Sequence, residues 1–137
     1  MNNKELLKKY TCVLIKEKEI HFSTERGVKP LYLFLKSGKD FSGFCAYDRV
    51  VGKATAFLYL LLKIKSVYAE VLSEQALMLL QKHGIVVEYQ TLVKNIINRN
   101  KTDICPFEKA VLEINNEQEA LKIIEDKMQE LNIIKKA

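Results

Sequence analysis

The sequence predicts an α/β domain built on one mixed five-stranded sheet with helices on both faces. Three observations predict it. Residues 54–62 read as a helix that is apolar on nearly every side, through Ala54, Ala56, Phe57, Leu58, Tyr59, Leu60, Leu61 and Leu62. A helix without a polar face must be buried, here against a sheet and under other elements. Strand-like and helix-like runs then alternate with short connections from Phe44 to Tyr89, the pattern of right-handed βαβ units and hence of parallel strands. Finally, two earlier strand-like runs are separated only by Lys16-Glu17-Lys18, which makes them an antiparallel hairpin.

In chain order, residues 5–10 predict a short helix with Leu6 and Leu7 inward, and residues 11–15 and 19–23 the hairpin. A loop over 23–27 leads to Pro30 in the first turn of a helix, buried through Leu31, Phe34 and Leu35 and ended by Ser37-Gly38-Lys39. The third strand, near 43–47, breaks at Asp48-Arg49, and Gly52-Lys53 opens the apolar helix. Val67, Ala69 and Val71 mark one face of a strand near 66–71; Ser73 caps the next helix, Gly84 closes it, and 85–89 is the last strand. If the third strand lies beside the first and parallel to it, the order is 2-1-3-4-5. Residues 92–98 are weakly helical. Cys105 and Pro106 open a short helix, with Glu108 three residues after the cap. Asn116 and Glu119 resemble a capping box at the start of a last helix to Lys135. Its stripe of Leu121, Ile124, Met128 and Leu131 packs on the domain, or alternatively forms a homodimer contact. The whole, 1–137, is one domain with 116–137 as a helical extension.

Composition narrows the partners. With 137 residues, 48% hydrophobic and 28% charged, the chain can bury one core and is not disordered. The net charge of +5 comes from scattered lysines, with three arginines in all. Sequence-specific nucleic-acid readers cluster their basic residues and use arginine forks, so no specific nucleic acid is expected. The alternative of a basic binding or scaffolding module rests on that charge alone. Cys12, Cys45 and Cys105 are odd in number and unpaired in spacing, which fits a reducing, cytoplasmic setting. The N-terminal stretch has no apolar signal core, and the apolar run 54–62 is far shorter than the ~20 residues a membrane span needs.

Three motifs together carry a resemblance: Glu25-Arg26-Gly27-Val28-Lys29-Pro30, then Asp48-Arg49-Val50-Val51-Gly52-Lys53-Ala54, then Asn98-Arg99 with Cys105-Pro106-Phe107-Glu108-Lys109. They resemble an uncharacterised prokaryotic family that has a cytidine-deaminase-like fold, over about residues 1–115. The resemblance implies a three-layer α/β/α sandwich of order 2-1-3-4-5 and no particular activity. Zinc deaminases hold their metal through a His or Cys in His-x-Glu and through Pro-Cys-x-x-Cys, at the starts of two helices. Those positions here read Gly27-Val28-Lys29 and 48–53. They contain no thiol or imidazole, so no metal, no cofactor and no zinc-dependent deamination are expected.

In an open α/β sheet, ligands bind beyond the carboxyl ends of strands where the strand order reverses. Two helix starts meet at that point, bringing Arg26, Gly27 and Lys29 from one side and Asp48, Gly52 and Lys53 from the other. Free N–H groups and lysines there suit an anion. The expectation is therefore a small phosphate-bearing, nucleotide-like ligand. Tyr47 and Tyr89, near strand ends, are candidates to stack on a base. Asp48, or Cys105 with Glu108, would be the reacting groups if the domain is an enzyme on such a substrate.

Overall fold

The hairpin sets the direction of every later strand. The computed structural model describes residues 3–98 and 100–135, so Arg99 of the third motif lies outside the described residues. β1 (Cys12–Lys16) and β2 (Glu19–Ser23) pair antiparallel, with Cys12 opposite Ser23 and Lys16 opposite Glu19. α1 (Lys29–Lys36) then carries the chain across β1 to β3 (Cys45–Val51). α2 (Lys53–Leu62) leads to β4 (Ser66–Ser73), and α3 (Glu74–Lys82) to β5 (Val86–Val93). The five strands form one mixed sheet of order β2-β1-β3-β4-β5, as expected.

One strand direction differs from expectation. β1 and β3 are antiparallel, with Cys12 opposite Asp48 and Ile15 opposite Cys45, whereas β3–β4 and β4–β5 are parallel. The reason is the hairpin. β2 runs against β1, and a helical crossover from β2 returns a strand parallel to β2. β1, lying between the two, must oppose both.

Layering differs as well. The crossovers through α1, α2 and α3 all step across the sheet in the same sense, and right-handed connections stepping one way lie on one face. Leu31, Phe57, Leu58, Leu80, Ile124 and Met128 accordingly share a single core with Leu14, Ala46, Val67 and Ala69 of the sheet. α2 has Ala54, Ala56, Phe57, Leu58, Tyr59 and Leu62 buried, because the sheet lies beneath it, α1 and α3 beside it, and α5 (Glu117–Glu130) against it. Tyr32 of α1 donates to Glu125 Oε2 at 2.7 Å and ties α1 to α5 as well. On the opposite face the 3₁₀ helix Asn3–Lys8 packs on β1 and β3. Arg49, pointing away from α2, donates from Nε to the Leu7 carbonyl at 2.8 Å.

Other boundaries follow from local chemistry. β3 continues through Asp48-Arg49 to Val51, since Asp48 is buried with partners of its own and the β-branched Val50 and Val51 favour strand. Residues 92–98 are not helical: β5 extends to Val93, and Ile97 forms a bridge with Ile104. Ser73 caps α3 by accepting from Ala76 N at 3.1 Å. Asn116 caps α5 by accepting from Gln118 N and Glu119 N. α5 stops at Glu130, short of Lys135. Of the expected stripe, Ile124 and Met128 are buried within the chain beside Ala120 and Leu121 is partly buried, while Leu131 is exposed. Ile124→Ala is expected to lose about 2–5 kcal/mol of unfolding free energy, measured by urea denaturation. Lys122→Ala, whose side chain is 74% exposed, should change it by less than ~0.5 kcal/mol.

Candidate functional site

Beyond the carboxyl end of β3 lies a cavity of about 230 Å³, lined among others by Arg26, Gly27, Asp48, Gly52, Cys105 and Glu108. Six of the eight sequence-predicted site residues thus come together. Lys29 and Lys53 are absent from the lining. Lys29 pairs with Glu25 at 3.6 Å. Lys53 Nζ donates to the Leu112 carbonyl at 2.9 Å.

Asp48 reaches the cavity from β3. Register places Cys12 beside it on β1, and both face α2. Tyr59, two turns into α2, donates its hydroxyl to Asp48 Oδ2 at 2.6 Å and stands 3.5 Å from Cys12 Sγ. With its own proton given to Asp48, the Tyr59 oxygen accepts from the thiol. Burial pushes the Asp48 carboxyl up to about 7, against the pull of the Tyr59 hydroxyl and of the Val50 and Arg49 backbone N–H groups. Burial also raises the Cys12 thiol and the Tyr59 phenol well above their ordinary values, and the Asp48 charge adds to both. Asp48 is therefore a carboxyl that exchanges its proton near neutrality.

The start of α2 is arranged differently from expectation. Its first N–H groups are not free for a ligand. Glu108, on α4 (Pro106–Ala110), accepts from Lys53 N at 2.8 Å and Ala54 N at 2.9 Å. A carboxylate of the chain thus occupies the place where a phosphate was expected. Glu108 is 8% exposed, and burial raises its carboxyl in spite of the two N–H groups and the nearby Lys53 charge. Gly52 takes its meaning from this contact. A Cβ there would stand 2.5 Å from Glu108 Cδ and Oε1, so the glycine makes room for the chain's own carboxylate. Cys105 caps α4 through backbone geometry, with no side-chain hydrogen bond.

Two lining residues that sequence reasoning missed, Thr11 and Thr55, add hydroxyls. Thr11 Oγ1 donates to the Ser23 carbonyl at 2.9 Å and holds the loop that carries Arg26. Tyr59 was legible in principle: a phenol in the middle of a fully buried helix requires a polar partner. Tyr47 points to the face of the sheet away from α2, where its ring lies 6.1 Å from that of Tyr68. Neither Tyr47 nor Tyr89 lines the cavity.

A family model described as TM1506, Domain of unknown function (DUF1893), matches residues 2–128. The chain belongs to that family. It is similar to the crystal structure of a DUF1893 family protein (TM1506) from Thermotoga maritima. The two share 28% identity and a TM-score of 0.83, over 90% of this chain and 84% of the other. No curated protein matches. No helix among the described residues is long and apolar enough to cross a membrane. A zinc site needs three or four His, Cys or carboxylate ligands converging on one point. Cys105, Asp48 and Glu108 all line the DUF1893 cavity, yet among the described residues no three His, Cys, Asp or Glu side chains converge as a metal site. Both Glu108 oxygens are already engaged by N–H groups. The donors do not fit that metal.

Two outcomes follow for this site. Glu108→Ala leaves the buried Ala54 N–H and the half-buried Lys53 N–H without their acceptor and should cost about 1–3 kcal/mol. Gly52→Ala should be at least as costly alone but add little on top of Glu108→Ala, because the atoms it would strike are gone; urea denaturation of all four chains measures that coupling. Asp48 gives a pH signature with a definite sign. Its folded pKa lies above 3.8, so its contribution is complete below pH ~4 and is lost as pH rises towards 7. Relative to wild type, Asp48→Asn should gain on the order of 4 kcal/mol between pH 4 and 8. Parallel stability curves for the two chains would contradict the assignment.

Proposed function

We propose that this DUF1893 chain is a metal-free, cytidine-deaminase-like domain of the cytoplasm that binds a small nucleotide-like ligand in the Asp48 cavity. The deaminase-like assignment is supported by the sheet order and by two helix starts meeting at one crevice. A single well-covered face modifies the three-layer plan expected of it. The cytoplasmic setting is supported by three free cysteines, which persist as thiols in a reducing compartment.

The observation that carries the ligand reading is a buried carboxyl, poised near neutrality, on the wall of a cavity. At about 230 Å³ the space is below the ~300–1,000 Å³ of pockets that enclose drug-sized ligands. It suits one ring, a base or a ribose, rather than a dinucleotide. Asp48 would accept from a ribose hydroxyl or a ring N–H when ionised, and donate to a ring nitrogen or carbonyl when protonated. A phosphate on that ligand would be met at the mouth by exposed Arg26, since Glu108 holds the start of α2. An Asp48 pKa of about 7 favours a second reading, an enzyme in which Asp48 is the general acid or base. Cys105 lies within the same walls.

Thermal-shift titration with nucleosides and their 5′-phosphates tests this. Stabilisation by at least one nucleoside 5′-phosphate is expected. Arg26→Ala should weaken the phosphorylated form about 10- to 150-fold, the loss of one charge-assisted contact, and leave the nucleoside unchanged. Asp48→Asn should weaken both, and Lys82→Ala neither. No shift with any of these compounds, or equal shifts in Asp48→Asn and wild type, would remove the ligand from this cavity.

A further inference from the structure

β5 is an eight-residue strand at the edge of the sheet, and it is paired on one side only. Its register with β4 is constant from Ser66 opposite Val86 to Ser73 opposite Val93, so no bulge interrupts it. Val86 N donates to the Lys65 carbonyl at 3.2 Å. In a parallel ladder that bond turns the N–H and C=O groups of Val86, Glu88, Gln90 and Leu92 towards β4. Those of Val87, Tyr89, Thr91 and Val93 point outward. Among the described residues, no other backbone group takes them up.

Open edges are ordinarily defended by charge, proline, a bulge or shortness. The other edge has such defences. β2 is five residues long, and its Glu19 is engaged by His21 and Lys39. β5 has one charge in eight residues, no proline and no bulge. Exposed apolar side chains lie along it: Val86 is 66% accessible, with Tyr89 and Leu92 also exposed.

We propose that β5 is the surface through which two copies of this chain join, antiparallel, about a two-fold axis at Tyr89, to form one continuous sheet. A two-fold axis normal to the sheet sets residues of like parity opposite one another. Centred on Tyr89, it places Val86 against the partner's Leu92, Val87 against the partner's Thr91, Glu88 against the partner's Gln90, and Tyr89 against the partner's Tyr89. Val86 meets the partner's Leu92, apolar against apolar, and Glu88, which accepts from Lys4 Nζ at 2.9 Å within its own chain, meets an amide that can donate to it as well. The outward groups of Val87, Tyr89 and Thr91 pair with their counterparts. Shifting the axis to Gln90 would set Glu88 against the partner's Leu92 and Val86 against the partner's Lys94, which pairs charge with apolar surface at both places. Complementarity therefore selects the Tyr89 register.

Light scattering coupled to size exclusion tests the assembly on the full chain. Wild type is expected at twice the 15.8 kDa of one chain. Thr91→Pro removes an outward N–H without breaking a bond to β4, and edge strands tolerate proline in that orientation. Tyr89→Lys sets two ammonium groups face to face. Both variants should run at the mass of one chain with unchanged circular dichroism. A monomeric wild type, or a dimer that persists in both variants, would overturn the proposal. The register has its own readout, with Cys45 and Cys105 replaced by serine. Directly opposed residues in a hydrogen-bonded pair have Cα atoms about 5.5 Å apart, within disulfide reach. Oxidised Tyr89→Cys should therefore give a covalent dimer on a non-reducing gel, and Gln90→Cys should not. The reverse pattern would move the axis to Gln90.

Discussion

A helix buried on every side has a difficulty at its beginning, where the first N–H groups have no partner within the helix. α2 starts at Gly52 and Lys53, and its N-cap residue offers no side chain to accept them. The acceptor comes instead from Glu108, 55 residues further along the chain. That contact requires α4 to dock at this spot, and α4 in turn positions the segment that brings Ile96, Cys105 and Phe107 over the cavity. It also requires position 52 to lack a Cβ. Lys53 reaches the Leu112 carbonyl just after α4 and fastens the same docking from the other side. One carboxylate thus satisfies the central helix, holds the cover of the cavity, and dictates a glycine.

The two buried carboxyls of the cavity have different roles because their partners differ. Glu108 accepts two backbone N–H groups at a helix start, where the local dipole favours negative charge. Its oxygens are fully used and its task is structural. Asp48 has the Tyr59 hydroxyl and two strand N–H groups, with no cation among the causes that shift it. Burial therefore prevails, and the proton is held loosely near neutral pH. Burial raises both carboxyls, so it is the partners and not the direction of the shift that set them apart. Here the division separates a group that builds the cavity from one that is able to act within it.

Much of this was readable from the chain. The alternation from Phe44 to Tyr89 specified three parallel strands, and the apolar run in α2 specified a helix covered on all sides. Ser73 and Asn116 marked true helix starts, because a side-chain cap is a local device. Six of the eight expected residues do line one cavity, since strand ends and helix starts converge there by topology. What escaped the sequence depends on distant contacts. Nothing around Lys53 announces that Glu108 will cap α2. The capping position of Glu108 three residues after Cys105 pointed to a local role, yet its side chain crosses to another helix. Lys29 and Lys53 were assigned to an anion by position alone, and long side chains settle with whichever acceptor is nearest, Glu25 and the Leu112 carbonyl.

The direction of β1 shows how a topological detail becomes chemistry. Had β1 run parallel to β3, its Lys16 end would lie at the carboxyl end of the sheet and place a charged, exposed residue beside Asp48. Because the hairpin makes β1 antiparallel, its first residues arrive there instead. Thr11 binds the carbonyls of Ser23 and Glu25 and anchors the loop bearing Arg26. Cys12 stands opposite Asp48 and fills the space next to it with a buried thiol. A neutral, weakly polar neighbour leaves the Asp48 charge uncompensated, where a lysine would have stabilised it and drawn its pKa down. The raised carboxyl of the cavity is therefore a consequence of strand direction as much as of the aspartate itself.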